Sequence, residues 1–136
     1  MQIETKNSHP EEDVKAIHDG LTAYNFSRVE RDYEPFMVTV KDAGIIIGGA
    51  QCASVWNWMF VKLLWVKEDL HRQGLGTRIM SVVEKEARDR GCIGIHLDTF
   101  EFQALGFYQK LGFEIFGEIE DHPKGYKRHY LKKRLD

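Results

Sequence analysis

The run WMFVKLLWV, from Trp58 to Val66, is apolar at almost every position. A strand with one wet face alternates apolar and polar residues, so an unbroken run implies burial on both faces and a central place in a sheet. Directly after it come the glycine-bearing turn WVKEDLHRQGLGT, an amphipathic helix and the strand CIGIHLDTF. Ile79, Val82, Val83 and Ala87 give that helix its apolar stripe, and Gly91 stands where a C-terminal glycine cap belongs. A strand, helix and strand in this order argue for a layered α/β architecture.

The flanking segments extend the sheet. A short strand is expected around Ile3. Val14, Ile17, Leu21 and Tyr24 then recur at three- and four-residue spacing behind Glu11, Glu12 and Asp13, which predicts a helix of about four turns. Pro35 closes the polar stretch RVERDYE. FMVTV, GIIIGGAQCASV and the central run follow as a three-stranded meander, broken at KDAG and near Asn57. A second amphipathic helix carries Ala104, Phe107, Tyr108 and Leu111 and stops at Gly112; FEIFGEI and YKRHYLKKRL close as strands around a turn at HPKG. The predicted order is β, α, β, β, β, α, β, α, β, β, a mixed sheet with helices on both faces.

Composition narrows the partners. A chain of 136 residues fits one domain, 1–136. Nineteen Lys and Arg against 21 Asp and Glu leave a net charge of −2, which argues against a nucleic-acid partner. No stretch approaches the ~20 apolar residues of a membrane span, and MQIETKNSHPEEDVK lacks the pattern of a signal peptide. A soluble, cytoplasmic protein with no membrane partner is expected. Cys52 and Cys92 are far apart in apolar stretches and read as buried free thiols, and the six histidines show no ligand spacing, so no metal is expected.

The turn before the helix carries the chemistry. The first N–H groups of a helix lack internal partners, the dipole places partial positive charge there, and glycines open the main chain to an anion. Arg72, Arg78 and Thr77 add polar contacts. A Walker loop needs a lysine that is absent, and a dinucleotide fingerprint needs a glycine where Ile79 stands.

Two strings then coincide. LHRQGLGTRIM follows one apolar strand and ALGFYQKLGF follows the next, with Ala104, Tyr108, Gly112 and Phe113 in the register AxxxYxxxGF. Together they resemble the signature segments of the GNAT superfamily of N-acetyltransferases, in particular small bacterial members, over about Phe60 to Leu131. The resemblance implies a GNAT-like mixed, mostly antiparallel sheet with a splayed parallel strand pair, and acetyl-CoA as cosubstrate. Main-chain groups of Leu64, Trp65 and Val66 would hold the pantetheine arm. His71, Arg72, Gln73, Gly74, Leu75, Gly76 and Thr77 would hold the pyrophosphate. The chain departs from the family at His71, where Arg or Gln is usual, and at Glu101, where Asn is common.

The resemblance also implies transfer of an acetyl group to a primary amine, with Tyr108 as the general acid toward the leaving thiolate. Alternation along the strand places His96 and Asp98 on one face as candidate bases. Trp56, Trp58 and Trp65 could wall a cationic acceptor. Residues 1–70 carry 7 basic and 11 acidic side chains and residues 71–136 carry 12 and 10, so a field favouring a small cationic amine lies in the first half. Two alternatives stay open: a non-catalytic acyl-CoA sensor or interaction module, and a protein lysine acetyltransferase. So does a homodimer.

Overall fold

Two tight turns fix the register of the meander. Ala43 and Gly44 join its first two strands and Trp56 and Asn57 the next two, all four at positive φ, the backbone that matches strand twist in a two-residue hairpin. In the computed structural model all residues, 1–136, are described, and they divide into two units, Met1–Arg31 and Asp32–Asp136.

The first unit holds α1 (Glu11–Phe26), whose acidic first turn of Glu11, Glu12 and Asp13 suits the helix dipole. None of its residues is buried. The strand expected around Ile3 does not form, and Ile3 is fully exposed. A strand needs a neighbour to pair with, and an isolated Ile between polar residues offers no apolar face to hold one.

The second unit contains β1 (Tyr33–Asp42), β2 (Ile45–Val55), β3 (Trp58–Val66), α2 (Leu75–Asp89), β4 (Gly94–Phe100), α3 (Leu105–Lys110), β5 (Glu114–Glu120) and β6 (Lys127–Arg134). The strands form one sheet in the order β1-β2-β3-β4-β6-β5. Only β3 and β4 run parallel. The first strand begins at Tyr33, so it includes Pro35 instead of starting after it. An edge strand tolerates a proline whose missing N–H leaves no ladder bond unmade.

One face of the sheet carries the core. Met59, Ile95, Leu97 and Leu131 are fully buried from the strands, together with Ile79 and Val83 of α2. The buried stripe of α2 is Ile79, Met80, Val83 and Ala87. Val82, expected in that stripe, is 47% exposed, and Met80 takes its place. Gly91 caps α2 as its position foretold, with its N–H bonded to Arg88 O and that of Cys92 to Ala87 O. Both cysteines are free and buried. No helix is long and apolar enough to cross a membrane.

Candidate active site

The central strand changes character halfway along. Parallel pairing of β3 with β4 runs from Trp58↔Gly94 to Val61↔Leu97 and stops there. Opposite, the ladder with β2 shifts register between Gln51 and Cys52, a bulge that bends β3 where it parts from β4. Past this point Lys62, Leu63 and Trp65 are exposed, which corrects the expectation of burial on both faces. The apolar run reads as continuous because its first half fills the core and its second half lines a slot.

Alternation decides what faces that slot. The N–H of Lys67 bonds Ile47 O of β2 at 2.9 Å, so Lys67 and Trp65 turn their main-chain groups toward β2. Those of Leu64 and Val66 are therefore directed toward the gap left by β4. The Leu64 groups and the Val66 N–H are the donors and acceptor that an extended ligand could take up as an added strand, the Val66 carbonyl being held by His71. Trp65, in contrast, offers its side chain on the free face and its main chain to β2.

The glycine turn lies just beyond. Residues Glu68–Leu70 form a single 3-10 turn, and α2 begins at Leu75, inside the glycine-bearing segment. Gly74 precedes it at φ +72°, a left-handed conformation costly to any residue with a Cβ. Arg78 N–H makes the first bond back, to Gly74 O at 3.1 Å, leaving the amides of Leu75, Gly76 and Thr77 without helical partners. The amides of His71 and Gln73 are already bonded, to Glu68 O and Leu70 O. The free amides of Leu75, Gly76 and Thr77 thus concentrate at the end of the seven-residue turn.

Two residues of the turn have other work. His71 Nε2 lies 2.7 Å from Val66 O, so the imidazole ties the turn to the end of β3. Gly76 admits the ring of Phe107, whose Cζ would lie 3.2 Å from a Cβ there. Its bareness therefore serves the packing of α3 on α2 as well as any anion.

Tyr108 sits on α3, a helix closed by Gly112 at φ +95°. Gly112 N–H bonds Gln109 O and Phe113 N–H bonds Tyr108 O, an arrangement that fixes the Tyr108 peptide. Its ring meets Phe107 and Phe113 at centroid distances of 5.1 and 5.8 Å. Burial pushes the phenol up to about 12, with smaller contributions from Asp98 and Cys52. The hydroxyl has no partner within the chain, yet it is not sealed, since the sealed and unpartnered side-chain atoms are the two nitrogens of His129. The ring belongs to the buried core cluster that the sheet shares with α2 and α3.

His96 and Asp98 share a face of β4, as alternation required, but their surroundings differ. The His96 imidazole stacks on Phe60 at 4.9 Å and meets Trp58 edge-on at 6.2 Å. Burial holds it below its ordinary value against the opposing pull of Asp98, so it is neutral and able to accept a proton near pH 7. Asp98 Oδ1 accepts from Arg128 Nε at 3.1 Å and Nη2 at 2.8 Å, so one of its two oxygens is committed to the guanidinium. The three tryptophans form no common wall: Trp58 and Trp65 stand at opposite ends of β3, about 23 Å apart along an extended chain.

Gln103 is the residue that sequence reasoning missed. Its Oε1 accepts from Phe100 N–H at 2.9 Å and from Thr99 Oγ1 at 3.2 Å, capping the free end of β4. An amide beside Ala104 was the available signal. Glu101, the departure from the family pattern, takes no part in this cap; its N–H bonds Lys127 O and its Oε2 lies 3.9 Å from His129 Nε2.

Comparisons with known proteins agree with this geometry. The chain is 35% identical to acetyltransferase Atu2258 of Agrobacterium fabrum over 123 residues, 89% of this chain and 90% of that protein. It is 42% identical to the blasticidin-S acetyltransferase of Streptomyces morookaense over 94 residues, 68% of this chain and 66% of the relative. A crystal structure from Agrobacterium tumefaciens superposes with a TM-score of 0.95 at 32% identity, over 99% of this chain and 100% of that one. The family model described as Acetyltransferase (GNAT) family matches residues 2–113. With a parallel pair that separates beyond Val61 and Leu97, a glycine turn at a helix start and these matches, the chain belongs to the GNAT family of acetyltransferases.

Proposed function

We propose that this acetyltransferase moves the acetyl group of acetyl-CoA directly to the primary amine of a small, cationic acceptor. The observation that carries the reading is the slot where β3 leaves β4, with the main-chain groups of Leu64 and the Val66 N–H turned into it and the free amides of Leu75, Gly76 and Thr77 just beyond. Pantetheine would pair with Leu64 and Val66, and the pyrophosphate would take the free amides of Leu75, Gly76 and Thr77 with help from Arg72.

The neutral amine attacks the thioester carbon, and collapse of the tetrahedral adduct breaks the C–S bond. Tyr108 donates a hydrogen bond, then its proton, to the departing sulfur. His96, neutral by burial, accepts the proton that the amine gives up, directly or through water. Asp98 holds the Arg128 guanidinium at the end of β4. The similarity to a relative named for acetylating blasticidin S favours a small-molecule acceptor over a protein. The excess of acidic residues in 1–70 favours a cationic one.

Titration calorimetry with acetyl-CoA and a thiol-release assay across an amine panel test the reading. One-to-one binding and CoA release with polyamine-like acceptors are expected, with kcat/KM falling as ionic strength rises. No binding at millimolar acetyl-CoA would end it. A flat salt response would remove the cationic acceptor alone.

A further inference from the structure

Phe100 closes β4 two residues beyond Asp98, and rings gather around it. Phe102 lies parallel to Phe100, with 6° between the planes and 5.6 Å between centroids. His122 meets Phe100 edge-on at 5.3 Å, and Tyr126 meets Phe102 edge-on at 5.2 Å. The Arg128 guanidinium, anchored by Asp98, sits 5.3 Å from the Phe100 ring centre. Phe102 remains 56% exposed and Tyr126 45% exposed, so these rings stand outside the core.

The hairpin between β5 and β6 holds two of the rings in place. Asp121 Oδ1 accepts from Gly125 N–H at 3.2 Å, His122 N–H bonds Tyr126 O at 3.0 Å, and Tyr126 N–H bonds Pro123 O at 2.9 Å. On the strand side, Gln103 fixes the Phe100 amide. Large flat surfaces that are exposed yet locked from both sides are preorganised for a flat partner. Their place at the C-terminal end of a parallel strand is where α/β sheets bind ligands.

We propose that Phe100, Phe102 and Tyr126 form a platform that stacks a planar ring of the acceptor. The preferred substrate is then a primary amine joined through a short aliphatic arm to an aromatic or heteroaromatic ring. Two residues of strand separate Phe100 from Asp98, about 7 Å, so an arm of a few carbons carries the amine from the platform back along β4 to the level of Asp98. This inference rests on the acceptor reading above and adds to it which amines are chosen.

The test compares 2-phenylethylamine with 2-cyclohexylethylamine, which share charge and arm and differ in flatness. Wild type should favour the aromatic amine in kcat/KM by about tenfold or more, the order of one stacked ring on aromatic side chains. In Phe102→Leu and Tyr126→Leu the preference should collapse through KM for the aromatic amine. KM for acetyl-CoA should stay unchanged, and the ratio of aromatic to cyclohexyl kcat/KM should fall toward one. Both positions are half exposed, so thermal midpoints near wild type are expected, and they confirm that the fold is intact. Equal use of the two amines by wild type, or a preference that survives both substitutions, overturns the platform while leaving acetyl transfer standing. If no amine releases CoA, the transfer reading fails by itself, and calorimetry of the two amines on the CoA-bound protein decides the platform. Tighter binding of the aromatic amine that both substitutions abolish supports it; equal or no binding overturns it.

Discussion

Replacing Tyr108 with Phe separates the chemistry of the hydroxyl from the packing of the ring. The ring keeps its contacts with Phe107 and Phe113, and a hydroxyl without a partner leaves nothing unpaired behind it. The folded phenol stands at about 12, whereas a free thiol has a reference value near ~8.5. Complete proton transfer to a fully formed thiolate is therefore uphill by about three and a half powers of ten. The hydroxyl contributes mainly by hydrogen-bonding charge as it develops on sulfur, a role worth about 10²- to 10³-fold in kcat for one well-placed donor. The expected loss is thus about 10²-fold, at the low end of acid–base catalysis. Initial-rate thiol release should show it in kcat, with KM for acetyl-CoA unmoved. The same substitution has a second, independent signature. A folded pKa of about 12 against an ordinary 10 means the native state holds its proton more tightly. Its contribution to stability is complete below pH 10 and is lost as pH rises through 12, on the order of 2–3 kcal/mol. Urea titrations at pH 8 and pH 11 should show Tyr108→Phe losing less stability on alkalinisation than wild type. Unchanged kcat would refute the assigned role, and a raised KM for acetyl-CoA would make Tyr108 a binding residue instead.

Gly74→Asp should raise the acetyl-CoA Kd at least about tenfold by setting a carboxylate beside the anion-binding amides. The cost in folding should be modest, about 1–2 kcal/mol for the left-handed backbone; unchanged affinity by calorimetry would move the pyrophosphate elsewhere. Gly76→Ala should instead press on Phe107, whose Cζ would lie 3.2 Å from the new Cβ, and so cancel the helix-propensity gain of about 1 kcal/mol; a thermal midpoint raised by the full propensity gain would show that the ring gives way freely. Because burial lowers His96, kcat/KM should rise with pH to a plateau, with its midpoint below 6.5, and His96→Gln should abolish that limb. A limb that persists in His96→Gln assigns the base to another group. Arg90 bonds Ser54 Oγ, Glu86 Oε1 and the carbonyls of Glu34 and Pro35, so Arg90→Ala should cost about 2–4 kcal/mol. A lower urea midpoint with unchanged slope checks this.

The order of elements from α1 onward could be read because each carries a local signal that does not depend on its neighbours. Glycine caps, two-residue turns and apolar stripes are properties of short segments, and Gly91 and Gly112 mark their helix ends where expected. Misreadings arose where a neighbour decides. Ile3 has the side chain of a strand residue but no strand to join. Val82 and Met80 adjoin each other on α2, and which is buried depends on where β1 to β4 press against the helix. Pro35 reads as a boundary, yet an edge strand carries it because that edge makes no demand on its nitrogen.

The site was legible at its motif and obscure at its geometry, for a physical reason that bears on function. Hydrophobicity records that a residue avoids water without recording whether protein or ligand covers it. Leu63 and Trp65, 58% and 53% exposed, look in sequence like continuations of Met59 and Val61, which are buried. What separates them is the loss of β4 as a partner after Val61, a tertiary event. The same ambiguity hides Phe102 and Tyr126, whose aromatic side chains in a linear string are indistinguishable from core. Ring spacing, exposure and the hydrogen bonds of the β5–β6 turn set them apart. In the proposed reading the cofactor rests largely on main-chain groups, so acceptor-side side chains are free to vary without disturbing the transfer of the acetyl group. Choice of amine should therefore respond to substitutions along Phe100, Phe102 and Tyr126 while the acetyl-CoA constants stay fixed. Substitutions in the turn at Gly74–Thr77 should do the reverse.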